Sequence, residues 1–262
     1  MIITGMETRR QFRLMTYNVH SCVGTDRQLS LERVADVIAM YRPDIVALQE
    51  LDVRRVRSGG VDQAYALAER LKMKFYFHPA IEVEEEQYGD AILSWHPLEL
   101  VRAAALPTVF TRRKKLSQRG ALLVKVEVNG QHVWVLNTHL GLNSRERVAQ
   151  VRALLGPEWL GSPDCRFPYI LCGDFNAIPG SPAYRLMYRA LRESQRCVPG
   201  RHRFRTFPTR YPIFRLDHIF VSPGITVRQV CVPRTLQSRV ASDHFPLYAD
   251  LELDENDSAA GQ

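Results

Sequence analysis

The chain has 262 residues, 45% of them hydrophobic, with a formal net charge of +7 and a sequence pI near 9.3. That length and apolar content exclude a disordered polymer, and the charge favours an anionic partner. Five scattered cysteines (Cys22, Cys165, Cys172, Cys197, Cys231), without a C-x-x-C pair, exclude a disulfide framework and a zinc knuckle and point to free thiols in a reducing compartment.

The elements follow from hydrophobic periodicity. Residues 11–17 read as a strand. Ser30 caps a helix that carries Leu31, Val34, Ile38 and Tyr41 at helical spacing and stops at Pro43. A strand over 44–49 follows, then a helix capped by Asp62 and running through Leu71. Strands are predicted over 74–78, 91–95, 99–106, 121–128 and 132–138, the last two joined by Asn129-Gly130, a two-residue hairpin signal. Helices are predicted over 144–159 and 181–191, and strands over 167–172, 216–221, 226–232 and 245–251. Helices between strands early and late, with a meander in the middle, fit two sheets packed face to face with helices outside.

Polar residues gather where these strands end. The first strand runs into Asn18 and the second into Gln49-Glu50. Another leads into Asn137-Thr138-His139, and the apolar run ending at Cys172 opens through Gly173 into Asp174-Phe175-Asn176. Asp174 and Asn176, two residues apart, project to the same side of an extended chain. A carboxylate beside an amide suits aiming a water and holding an oxyanion, not filling a core. Asp217 lies inside the strand-like Leu216-Asp217-His218-Ile219-Phe220, and Ser242-Asp243-His244 precedes the last strand. Catalytic groups at the ends of buried strands are what a sheet-edge cleft requires.

Together these blocks, with Thr16-Tyr17-Asn18 and Gly89-Asp90-Ala91-Ile92-Leu93-Ser94, resemble the endonuclease/exonuclease/phosphatase superfamily in type and order over nearly the whole chain. The chain departs from the family pattern in having Asp90 where Asn is frequent and His218 where Tyr is frequent. Tyr17-Asn18-Val19-His20 also differs from the first block of abasic-site repair enzymes. The resemblance implies a DNase I-like fold: an α/β four-layer sandwich of two mainly antiparallel mixed sheets with helices outside. It further implies a divalent-metal-dependent hydrolase of phosphate esters, with in-line attack by an activated water. A catalytically silent member that binds an anionic ligand or partner is the alternative.

On that resemblance, Glu50 is the central metal ligand, with Asn18 and Asp243 completing or supporting the shell. Oxygen ligands select Mg²⁺, with Mn²⁺ or Ca²⁺ as substitutes. Asp174 positions and deprotonates the water, and Asn176 holds a non-bridging oxygen. His244, oriented by Asp217, contacts the scissile phosphate. His139 is a second phosphate contact or the proton donor to the leaving oxygen. Because these residues come from both halves of the chain, one domain over 1–253 is expected, followed by a disordered acidic tail over 254–262. The N-terminus carries no signal-peptide core and no apolar run reaches membrane-spanning length, so a cytoplasmic monomer is expected.

The substrate stays open among nucleic acid, a phospholipid headgroup and a phosphorylated metabolite. Positive charge concentrates at Arg112-Arg113-Lys114-Lys115 and at Arg185, Arg189, Arg192, Arg196, Arg201, Arg203, Arg205 and Arg210. Phe204, Phe207, Tyr211 and Phe214 interleave with the second group, which suits base stacking, a lipid surface or an anchored, solvated loop alike. Ser58-Gly59-Gly60 reads as a mobile loop at the rim, without the lysine of a nucleotide P-loop. His20 and His218 adjoin motif residues, whereas His78, His96, His132 and His202 have no motif context and read as structural.

Overall fold

A computed structural model describes residues 10–109, 117–199 and 204–254. Its strands are β1 (Gln11–Asn18), β2 (Ile45–Val53), β3 (Lys74–Val83), β4 (Glu86–Ser94), β5 (Leu98–Ala105) and β6 (Gly120–Val128). They continue as β7 (Gln131–His139), β8 (Tyr169–Asp174), β9 (Arg192–Glu193), β10 (Asp217–Val221), β11 (Ile225–Cys231) and β12 (Leu247–Leu253). The helices are α1 (Leu31–Tyr41), α2 (Gln63–Leu71), α3 (Ser144–Leu154), α4 (Pro182–Ala190), α5 (Ser194–Cys197) and α6 (Leu236–Ala241).

Two six-stranded sheets result, ordered β11-β12-β1-β2-β4-β3 and β5-β6-β7-β8-β10-β9. Each has one parallel pair at its centre, β1 with β2 and β7 with β8, and antiparallel neighbours elsewhere. A parallel pair needs a crossover, and α1 and α3 lie on the two crossovers. Both pairs therefore present their carboxyl ends as sites for polar groups.

Alternation along the strands sets the layers. Phe12, Leu14, Ile45 and Ala47 share the central core with Val124, Val126, Val133, Val135 and Ile170 from the other sheet. On the outer face of the first sheet Met15, Tyr17, Val46 and Leu48 cluster with Val34, Ile38, Leu67 and Leu71 of α1 and α2. Leu123, Leu136 and Leu171 do the same with Val151, Leu154, Ala183 and Met187 of α3 and α4. The result is the four-layer α/β sandwich of the DNase I-like fold. Burying one such Leu or Val fully stabilises the fold by about 1.5–3 kcal/mol.

Ser30 and Asp62 cap α1 and α2 as expected, accepting from the backbone N–H groups of Arg33 and Tyr65. Asn129 (φ 50°) and Gly130 (φ 81°) form the left-handed turn between β6 and β7. The third helix ends at Leu154, short of the predicted residue 159, and turns follow through Gly156. β3 and β4 are longer than their apolar segments, pairing as far as Val83 and Glu86 around a tight turn at Glu84 (φ 55°). No described helix is long and apolar enough to cross a membrane. Arg112 to Lys115, Arg201, His202, Arg203 and the expected acidic tail beyond Asp254 lie outside the described residues.

Candidate active site

The carboxyl ends of the two parallel pairs meet at one cleft. β1 and β2 deliver Asn18 and Glu50, and β7 and β8 deliver His139 and Asp174, which are register partners. A shift of register between Leu48 and Leu51 lets Glu50 leave the ladder with φ 63°, its side chain 24% exposed toward the cleft. Gly173 has φ 141°, and a Cβ there would stand 1.9 Å from the Thr138 carbonyl oxygen, so only glycine lets β8 approach β7 this closely. Behind the site the sheets are tied together. Gln49 Nε2 donates to Asn137 Oδ1 (2.7 Å) and Thr16 Oγ1 (3.0 Å), and Asn137 Nδ2 donates to the carbonyls of Leu48 and Ala91 (2.9 Å each).

Asp174 sits at the centre. Its Oδ2 accepts from Asn18 Nδ2 at 3.0 Å and lies 3.4 Å from His139 Nε2 and 3.7 Å from His244 Nε2. Its Oδ1 accepts from the Asn176 backbone N–H at 2.9 Å. Asn18 Nδ2 also reaches Glu50 Oε1 (3.0 Å), so one neutral amide bridges two carboxylates, while Asn18 Oδ1 accepts from the His20 backbone N–H. Asn176, at φ 47°, holds its amide 3.1 Å from His139 Nε2 and donates to the Leu140 carbonyl. His244 Nδ1 lies 2.9 Å from Asp217 Oδ2, and the Phe207 ring packs against the imidazole with centroids 4.7 Å apart. Asp243 Oδ2 meets His20 Nδ1 at 3.1 Å. All eight residues singled out from the sequence, Asn18, Glu50, His139, Asp174, Asn176, Asp217, Asp243 and His244, thus come to this cleft.

The two buried imidazoles differ electrostatically. Burial alone would lower the pKa of His244, but the carboxylates of Asp217, Asp174 and Asp243 outweigh it and push it up to about 10. His139 goes the other way, to about 3. Burial is the main cause; Asp174 opposes it, and Arg119 and His244 add to it. Arg119 Nη1 can only donate, at 3.1 Å, to His139 Nδ1, so the neutral ring carries its proton on Nε2, toward the Asp174 carboxylate at 3.4 Å, while Asn176 Nδ2, itself a donor, turns its N–H to the Leu140 carbonyl. That geometry favours a neutral hydrogen-bond donor over an imidazolium acid at His139. Burial raises the Asp243 carboxyl, yet His20 and His244 bring it below its ordinary value.

Several neighbours of the site carry no motif of their own. Arg119, 9% exposed, is the buried cation between His139 and Asp90, whose carboxyl burial raises to about 7 against the pull of Arg119. Burial, with the Glu50 carboxylate nearby, pushes the Tyr88 phenol above its ordinary pKa. Neither carries a sequence signal beyond adjacency to a block. His218 lies behind the site with no exposure, its ring between the Glu193 carboxylate (2.8 Å) and the Ala177 carbonyl (2.9 Å). The loop at Ser58 is more ordered than its composition suggests. Arg57 forks onto buried Asp52 at 2.7 Å through two nitrogens and reaches Ser21 Oγ at 3.0 Å.

Several described arginines of the basic segment are engaged within the fold. Arg192 donates to the Ser222 and Ile225 carbonyls, Arg215 pairs with Glu193, Arg185 caps the Gly180 carbonyl, and Arg196 meets the Tyr188 hydroxyl. Phe204 is buried, whereas Tyr211 and Phe214 are exposed, and Phe214 bridges to Phe207.

The residues fit a hard divalent cation. Four carboxylates, Glu50, Asp174, Asp217 and Asp243, converge, and Asp217 Oδ1 is buried with no hydrogen-bond partner among the described residues. Two carboxylates ~4 Å apart repel by about 4 kcal/mol at an effective dielectric near 20, which a cation reverses. Asp174, Asp217 and His244 also bring ligand atoms within 4.8 Å of one another. His244 there has its Nδ1 engaged by Asp217 Oδ2 at 2.9 Å, so only Nε2 faces that group. The carboxylate oxygens of Glu50 and Asp243 suit a hard cation better.

Comparisons with known proteins give the family and the fold. A model of the Endonuclease/Exonuclease/phosphatase family matches residues 15–244. YbhP of Escherichia coli (strain K12), described as uncharacterized, is 28% identical over 254 residues, covering 92% of this chain and 96% of YbhP. The crystal structure of an endonuclease/exonuclease/phosphatase from Beutenbergia cavernae DSM 12333 is similar with a TM-score of 0.74 and 26% identity, covering 94% of this chain and 72% of that one. The human Nocturnin catalytic domain with bound sulfate anion shares the fold at a TM-score of 0.68 and 24% identity, covering 94% of this chain and 95% of its own.

Proposed function

Because the chain belongs to the endonuclease/exonuclease/phosphatase family, whose members hydrolyse phosphoesters, we propose that it is a divalent-metal-dependent phosphoester hydrolase, with Mg²⁺ as its resident ion. The observation that carries this reading is the convergence on Asp174 of Asn18, Asn176, His139 and His244, within 4 Å of its carboxylate.

Glu50 and Asp243 would hold the ion, with Asn18 aligning Glu50 and Asp174 through its amide N–H groups. The bound ion would offset the negative charge of the phosphate oxygens as a Lewis acid. Asp174 takes the proton of the attacking water. One Oδ already accepts from Asn18 and the other from the Asn176 N–H, which aims the carboxylate. As the water oxygen bonds to phosphorus, the ester P–O bond opposite breaks and the leaving oxygen departs with that electron pair. The His244 imidazolium, fixed by Asp217, stabilises the charge on the phosphate, and neutral His139 donates from Nε2 to a non-bridging oxygen. A general base alone supplies about 10²–10⁴-fold, so these groups must act together.

The catalytic unit on this reading is one domain over residues 1–253, since its residues come from both sheets. The five free cysteines support a reducing compartment, the cytoplasm, and the protein works there as a monomer. A panel of plasmid DNA, RNA, sphingomyelin, phosphatidylglycerol and inositol phosphates, each with Mg²⁺ and with Mn²⁺, tests the function. Metal-dependent phosphoester cleavage of at least one is expected. No turnover on any, with tight binding of an anion, would favour a silent binding member of the family.

A further inference from the structure

The chain leaves β1 through an unusual turn. His20, Ser21 and Cys22 follow one another with φ of 48°, 52° and 58°. L-residues visit this left-handed region singly, and three in succession persist only where the surroundings impose them. Those surroundings are on hand. Gln63 Nε2 donates to the Ser21 carbonyl at 2.7 Å, and Arg57 Nη2 donates to Ser21 Oγ at 3.0 Å. The backbone N–H groups of Cys22 and Val23 bond to the carbonyls of Val19 and His20, and that of Ser30 bonds to the Cys22 carbonyl.

The turn aims one residue at two site groups at once. The His20 backbone N–H donates to Asn18 Oδ1 at 3.1 Å, which turns the Asn18 amide N–H groups toward Glu50 and Asp174. Its side chain reaches across the cleft edge, with Nδ1 3.1 Å from Asp243 Oδ2. That bond needs only the Nδ1 proton, which the neutral tautomer and the imidazolium both supply. Asp243 is held from the other side by its own chain, its carbonyl accepting from the Thr209 N–H. Among the described residues its carboxylate bonds to His20, to its own backbone N–H and, at a long 3.5 Å, to Ser242 Oγ.

We propose that His20 is a positioning residue for the metal site, holding the Asp243 carboxylate in the rotamer that receives the cation. The strained turn exists to place it there. The inference rests on the metal-dependent reading above and assigns a role to a residue outside the set that reading uses. Hydrogen-bonded partners of ligating carboxylates commonly govern metal affinity by about 10–100-fold.

The test is calorimetric titration of Mn²⁺ into the full chain, with melting temperature of the metal-free protein alongside. His20→Gly removes the side chain yet suits a positive φ, so lost affinity cannot be assigned to backbone strain. His20→Asn keeps an N–H donor and also tolerates this conformation. His20→Gly is expected to bind Mn²⁺ about 10–100-fold more weakly at an unchanged or higher melting temperature, and His20→Asn to recover most of the loss. Wild-type affinity in His20→Gly, or an Asn variant as weak as the Gly one, would overturn the positioning role. A wild-type chain that takes up no Mn²⁺ would instead overturn the metal-dependent reading itself.

Discussion

His244 Nδ1 lies 2.9 Å from Asp217 Oδ2, and both side chains are buried, so neither has water to substitute for the other. Asp217 stands on β10 opposite Asp174 in register, while His244 comes from the segment before β12. The contact therefore depends on the two sheets being correctly stacked.

From this pair the first prediction follows. Asp217→Asn should lower turnover by roughly 10²-fold or more while leaving Mn²⁺ affinity nearly intact, because the imidazolium loses its counter-charge. His244→Ala should cost at least as much, and the double variant little more than His244→Ala alone. Rate losses that add in full would show that Asp217 acts elsewhere.

A second concerns Glu193, whose side chain has no exposure. Burial raises its pKa, but His218, Arg215 and Tyr184 outweigh that and hold it at about 2, below the ordinary 4.5. A depressed carboxylate contributes stability that is complete above its unfolded pKa and is lost as pH falls through the folded one. The window here runs from about 4.5 down to about 2. Glu193→Gln should lower unfolding free energy at pH 7 by roughly 3–5 kcal/mol, since Arg215 and His218 lose their buried partner. Urea titrations at pH 7 and in steps below pH 4.5 should show the gap to wild type narrowing with acid. A constant gap would exclude the linkage.

The polar bridge between the sheets gives a third. Asn137→Leu deprives the carbonyls of Leu48 and Ala91 of their Asn137 donor, while the Gln49 amide loses one acceptor and keeps Thr16 Oγ1 and the Ala47 carbonyl. Each orphaned group costs about 1–3 kcal/mol. The variant should melt well below wild type, and restoring a polar residue as Asn137→Gln should recover only part, because the longer side chain overfills a site with no exposure. A melting temperature equal to wild type in Asn137→Leu would mean the bridge adds no net stability.

Much of this architecture was legible from residues 14–18, 45–50, 134–139 and 168–174. There a buried apolar strand gives way to polar residues with no use in a core, and the parallel pairs align those ends. The sites that were not legible depend on tertiary contact. Arg119 follows a polar stretch and reads as an ordinary surface arginine until β6 carries it beside His139. The Glu193–His218–Arg215 cluster joins residues separated along the chain, and its acid sits in a two-residue strand with no periodicity. β3 is half-exposed at most positions on both faces, so it offers no alternation to set its end. The six-residue helix α6 is shorter than two turns and is held by the Thr235–Ser238 capping box rather than by an apolar stripe.

Asp90 supplies a fourth prediction. Its carboxyl is raised to about 7, first by burial, so near neutrality it is close to half protonated. Asp90→Asn mimics the protonated form and matches the residue frequent in the family. Activity at pH 6 should stay within a few-fold of wild type, as expected of a change that preserves the dominant charge state there. A loss comparable to Asp174→Asn would place Asp90 in the reaction.

The central claim, a divalent-metal-dependent phosphoester hydrolase built around Asp174, is tested most directly on chelator-treated protein. Hydrolysis of bis-p-nitrophenyl phosphate would be followed while Mg²⁺ or Mn²⁺ is returned, for wild type, Glu50→Gln and Asp174→Asn. The account predicts saturable recovery in wild type, a right-shifted and weaker response in Glu50→Gln, and metal binding without turnover in Asp174→Asn. Turnover that survives the chelator, or that is equal in wild type and Asp174→Asn, would contradict it.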